Sequence, residues 1–133
     1  MSINKSLFVL VLSFLTFSWV SGQNQHDIIE QVRETIKAGS AKELARFLNQ
    51  TVDVMIDEQL QSYSKAQAEF VLRDFFKNHP AAEFTIIHQG SSKGGQPFAI
   101  GLYKSGDDTY RVFMKIKASD KQQLVHEIRF SKE

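Results

Sequence analysis

The chain has 133 residues, 42% hydrophobic and 23% charged, with 16 Lys and Arg against 15 Asp and Glu, 2 Pro and no Cys. Such counts describe one ordinary globular domain. They exclude disorder, collagen-like repeats, a disulfide scaffold and Cys-ligated zinc, each of which needs a composition absent here.

The chain opens with Lys5 as its one charge, an apolar run from Leu7 to Val20, and then Ser21-Gly22. With small Val20 and Gly22 placed for a peptidase, residues 1–22 read as a secretory signal peptide. A single domain over residues 23–133 remains, expected outside the cytoplasm, either periplasmic or extracellular. An uncleaved anchor would need about 20 apolar residues. Polar Gln23-Asn24-Gln25-His26 follows the run at once, so no stable membrane insertion is expected. The absence of Cys rules out a lipoprotein anchor. Removing Lys5 brings the basic side chains level with the acidic ones. A neutral domain without a long Lys/Arg run lacks the electrostatic footprint of a nucleic-acid binder.

Ile28, Ile29, Val32 and Ile36 form the apolar stripe of an amphipathic helix that Gly39 stops. Ser40 and Glu43 have capping-box spacing, predicting a second short helix through Leu44, Phe47 and Leu48. Thr51 to Asp57 alternates as a half-buried strand, with Val52, Val54 and Ile56 on one face, and Gln59 to Tyr63 suits a short partner strand. Ser64 and Gln67 repeat the capping box ahead of a third helix, whose apolar face is Ala68, Val71, Leu72, Phe75 and Phe76. It ends at Asn78-His79-Pro80. Four strands follow, at about 83–89, 97–104, 109–117 and 123–131, joined by short turns as an antiparallel meander.

Three helices and a long curled sheet make an α+β cone or half-barrel. The chain resembles the nuclear-transport-factor-2-like superfamily, and more closely a family of small secreted Bacteroidetes proteins classed as a domain of unknown function. The residues carrying the resemblance are Tyr63-Ser-Lys-Ala-Gln-Ala-Glu69, Asp74-Phe-Phe76, Phe84-Thr-Ile-Ile-His-Gln-Gly90, Phe98-Ala-Ile-Gly101 and Glu127-Ile-Arg129. It implies a strongly curved antiparallel sheet packed with helices, and an exported compartment. It brings no catalytic signature and no cofactor.

Enzymes of that superfamily use a carboxylate or histidine inside the cone as general base. Asp53, Asp57 and Glu127 alternate away from the core, which counts against such chemistry. His88 and His126 share strand faces with apolar residues and are the catalytic candidates, but no acid orients either ring. Without Asp, Glu or Cys on the same face they also fall short of a zinc set. Tyr63, Phe76, Phe84, His88, Phe98, Met114 and His126 are the candidate lining of a pocket for a small apolar or amphipathic ligand, with core packing the alternative for the large apolar ones. The glycine-rich 90–95 segment is followed by a strand, so it reads as a hairpin loop and not a phosphate loop. Gly101 within a strand marks a bend or a close backbone approach.

A final turn at 118–121 predicts Met114 opposite His126, Phe113 opposite Glu127 and Lys115 opposite Val125. The preceding turn predicts Ile100 opposite Phe113 and Tyr103 opposite Tyr110. Ile100, Phe113 and Val125 would then form an apolar patch on the outer sheet face, suited to a homodimer or a partner. A bulge turning Ile100 inward would leave only scattered exposed hydrophobes. The expected function is a non-catalytic exported domain binding a small ligand or a protein partner. The alternatives are a histidine-dependent enzyme and a structural homodimer.

Overall fold

The computed structural model describes residues 25–133, so the leader expected over residues 1–22 lies outside the described residues. Helix α1 runs Gln25–Ala38, and Ile28, Ile29, Val32 and Ile36 are all buried. Gly39 ends it with a φ of +69°, a conformation open to glycine because it lacks Cβ. The Ser40 N–H donates to Thr35 O and the Gly39 N–H to Ile36 O, both at 3.0 Å, the paired bonds of a Schellman stop. Ser40 then caps α2, Ala41–Ala45, by accepting the Glu43 N–H at 3.1 Å. This helix is shorter than the sequence suggests, since Leu48 already begins β1, Leu48–Ile56.

Asp57 and Glu58, with φ of 52° and 68°, form the two-residue turn from β1 into β2, Gln59–Ser64. Left-handed geometry at both positions matches the twist of a hairpin. A complete capping box between Ser64 and Gln67 starts α3, Lys65–Asn78, which buries Ala68, Leu72, Phe75 and Phe76. β3 is Glu83–Ser91, β4 Pro97–Ser105, β5 Asp108–Ser119 and β6 Gln122–Lys132.

The spatial order is β2-β1-β6-β5-β4-β3. The last four strands form the expected antiparallel meander, but β1 runs parallel to β6. The curved sheet is therefore mixed, whereas the sequence suggested a wholly antiparallel one. Residues 57–121 separate β1 from β6, so no hairpin dictates their relative direction.

Register decides which side chains face the helices. Ile100 lies opposite Phe113 and Tyr103 opposite Tyr110, as the turn predicts. In the β5–β6 pair the turn sits one residue later, at Asp120-Lys121, and a bulge at His126 adds a second shift. Met114 thus faces Ile128, Phe113 faces Arg129, and Lys115 faces Glu127. Val125, expected on the outer face, pairs with Ile116 and is fully buried.

The inner face carries Tyr103, Tyr110, Val112, Met114, Ile116, Ile128 and Phe130, all buried against the helices. The Phe75 ring sits 4.5 Å from Phe130, 5.1 Å from Tyr110 and 5.6 Å from Tyr103. Side chains thus fill the interior of the cone beneath α3. The Tyr103 hydroxyl donates to the carbonyl of His79 at 2.5 Å, and the Tyr110 hydroxyl lies 3.4 Å from His79 Nδ1. These bonds tie the end of α3 to β4 and β5, and they give two buried phenols the polar partners they need.

Candidate functional site

A cleft of about 670 Å³ opens where the inner face of the β1–β2 hairpin meets α3. Val54, Ile56, Val71 and Phe75 make its apolar floor, while Gln59, Gln61 and Tyr63 of β2 form one wall. Asp74, Asn78 and His79 approach from α3 and its cap, Asp57 from the hairpin turn, and Phe70 from the rim. The hairpin twist carries Asp57 there, and the helical four-residue step aligns Phe70, Asp74 and Asn78 along one side of α3. Among the described residues, no Lys or Arg lines the cleft. Among the described residues, neither Asp57 nor Asp74 takes part in an ion pair.

The cleft therefore combines an apolar floor with two carboxylates that form no ion pair among the described residues. Asn78 donates to Asp74 at 3.5 Å, the long end of hydrogen bonding. Burial, followed by the nearby charges of Asp57 and Asp108, raises the Tyr110 phenol above its ordinary range. Burial, with a smaller contribution from Tyr110, pushes Tyr103 up to about 12. Both phenols stay protonated and act as hydrogen-bonding struts behind His79.

Of the seven residues the sequence offered as pocket lining, only Tyr63 lines this cleft. Phe76, Phe84 and Met114 are buried in the core. His88 is exposed, because a bulge between Ile86 and His88 switches the strand's alternation. It turns out to the Phe98 ring, 5.6 Å away, and Phe98 lies 6.2 Å from Phe113 on the same outer face. His126 stands at the β6 bulge among Lys117, Lys115 and Asp53, and not on the inner face. Its Nε2 is buried without a hydrogen-bond partner among the described residues. Burial first, and then the two lysines, hold this imidazole below its usual range.

The outer face keeps Ile100 and Phe113 directly paired and half-buried, with the Arg129 guanidinium 5.6 Å above the Phe113 ring. Glu127 is also outside, as alternation predicts, yet it is buried beneath its ion pairs with Lys115 and Arg129. Sequence reasoning passed over Asp74 and His79 as helix residues and placed Asp57 outside. The available signal was Asp57-Glu58 between two alternating segments, which marks a tight turn that can aim its first side chain inward.

A curved mixed sheet wrapped around three helices, with a cleft at its open edge, defines an α+β protein of the nuclear-transport-factor-2-like class. The chain belongs to the DUF4783 family, a domain of unknown function whose profile matches residues 29–131. A crystal structure of a DUF4783 family protein from Bacteroides uniformis is 29% identical, covering 78% of this chain and 95% of that one at a TM-score of 0.73. One from Bacteroides ovatus is 26% identical over 77% of this chain and 93% of that one, again at 0.73. An NTF2-like protein of unknown function from Shewanella baltica shares the fold at 10% identity, covering 81% of this chain and 90% of that one with a TM-score of 0.61. No curated protein matches the chain.

Proposed function

We propose that this protein is an exported binding domain, without chemistry of its own, that takes a small amphipathic ligand in the cleft between the β1–β2 hairpin and α3. The observation carrying this reading is the pairing of an apolar floor with two carboxylates in a lining that holds no Lys or Arg among the described residues. A cleft of about 670 Å³ is in the range that small molecules occupy. An alkyl or aromatic body would cover Val54, Ile56 and Val71, while a protonated amine would meet Asp57 and Asp74. Export is read from the leader. The enzyme alternative built on His88 and His126 loses support because neither ring lines the cleft.

The reading is tested by native mass spectrometry of the protein purified from the periplasm, together with thermal shifts in hexylamine and hexanoate. A co-purifying amphiphile, or stabilisation by the amine and not the acid, is expected; at one hundred times Kd the gain is about 2.7 kcal/mol. Asp74→Asn should abolish that preference. Equal responses to both probes, with no adduct, would defeat the reading.

A second reading rests on the outer face, where Phe98, Ile100 and Phe113 are contiguous and half-buried. It makes that face a homodimer surface, to be checked by sedimentation of the wild type against Phe113→Asp.

A further inference from the structure

We propose that the free edge of β2 receives an extended, lysine-bearing peptide segment as an added strand, with alternate side chains entering the acidic cleft. β2 is one of the two outermost strands of the sheet. It pairs with β1 on one side only. Among the described residues, no backbone hydrogen bond outside the β1 ladder reaches residues 59–63. The alternate N–H and C=O groups that point away from β1 are open to a strand.

Edge strands normally carry protection in the form of charge, proline or a bulge. The opposite edge, β3, has it: a bulge between Ile86 and His88, with Glu83 at its start. β2 reads Gln-Leu-Gln-Ser-Tyr-Ser, with no charge, no proline and an unbroken register from Gln59 to Ser64. Of the three large hydrophobic side chains left exposed among the described residues, two flank this edge: Leu60 in β2 and Phe70 across the cleft.

Charge selects the occupant. Gln59 and Gln61 face the cleft, so the inward side chains of an added strand would enter it beside them, towards Asp57 and Asp74. Lysine fits this position, its ammonium meeting the carboxylates and its stem covering Phe70. Outward side chains would lie beside Leu60 and Ser62, and Asp53 is already engaged by Ser62 at 2.5 Å. An apolar residue fits there. The inferred pattern is thus alternating lysine and valine. This inference rests on the cleft reading and narrows the ligand to a peptide strand.

The test is fluorescence anisotropy of the full-length protein with a capped, labelled octapeptide of alternating lysine and valine. Two companions are N-methylated on alternate residues, each in one of the two possible phases, so that one blocks the ladder and the other leaves it free. Binding should weaken at least about tenfold in one phase only, and it should weaken similarly with Asp57→Asn or Asp74→Asn. Asparagine tolerates the positive φ of residue 57, so that variant keeps the turn. Equal affinity in both phases would overturn strand addition. Amine stabilisation without peptide binding would also overturn it, while leaving the small-ligand cleft intact. A dimer that dissociates when Leu60 is replaced by Lys, in a protein that ignores the peptide, would assign the edge to a second copy and refute the proposal.

Discussion

Replacing Gly101 by Ala tests how closely the sheet is folded on itself. A Cβ at this position would stand 2.7 Å from Cε1 and 2.8 Å from Cζ of Phe84, and 2.9 Å from the carbonyl oxygen of Thr85. The ring is buried in the core and the carbonyl belongs to the neighbouring strand, so neither can move freely. Overpacking of this kind costs about 1–3 kcal/mol, while loss of glycine's unfolded-state freedom returns about 0.4–1 kcal/mol. The expected net loss is about 1–2 kcal/mol. Urea unfolding reads it directly, as a midpoint lowered by about 0.5–1 M for a slope of about 2 kcal/mol/M. Phe84→Leu removes the ring atoms and leaves the carbonyl, so in that background the penalty should shrink without vanishing. The double-mutant cycle should give a coupling of at least about 0.5 kcal/mol. A Gly101→Ala protein as stable as the wild type would refute the close approach, and an undiminished penalty in the Phe84→Leu background would assign it to the Thr85 carbonyl alone.

Tyr103→Phe leaves the His79 carbonyl without its donor and should cost about 1–2 kcal/mol by urea unfolding. Because the folded phenol is pushed up to about 12, its contribution is fully present below the ordinary tyrosine value, about 10, and is lost as pH rises from there to about 12. The phenylalanine variant should show a shallower alkaline decline, and an unchanged profile would count against the burial argument. His126 is held low, so its effect runs the other way: stability is present above about pH 6.5 and falls as acid protonates the ring more readily in the unfolded chain. His126→Gln should flatten the decline between about pH 7 and pH 5, as followed by unfolding midpoints. Ser64→Ala breaks the capping box of α3 and should cost about 1 kcal/mol, and a smaller loss for Ser64→Asp would identify capping as the cause.

The helices were legible because each needs only its own stripe and stop: Ile28 to Ile36 with Gly39, and Ala68 to Phe76 with Ser64 and Pro80. The turn between β4 and β5 was legible for the same local reason, and the pairing of Ile100 with Phe113 followed from it. Bulges were not. A single extra residue reverses every later side chain in a strand of period two. One bulge sent His88 outside, while the later final turn and the bulge at His126 left Val125 inside. The parallel pairing of β1 with β6 joins distant stretches, which no local pattern encodes. The cleft was hidden for a related reason. Asp57, Asp74 and His79 come from three separate features, a turn, a helix and its cap, and only tertiary packing brings them to one opening.

The position of β6 has a consequence for how this protein is made. Although it is the last strand in the chain, β6 lies between β1 and β5 and bridges the hairpin to the meander. Until residues 122–132 have left the ribosome, the two halves of the sheet have no strand to join them, and the floor of the cone lacks Ile128 and Phe130. Closure then has to bring together stretches about seventy residues apart, such as Val54 with Ile128, a slow step for a sheet. Formation of the whole sheet is thereby deferred until residues 122–132 have been made. A nascent chain that stops short of β6 is therefore one in which the hairpin and the meander have yet to be joined in a single sheet.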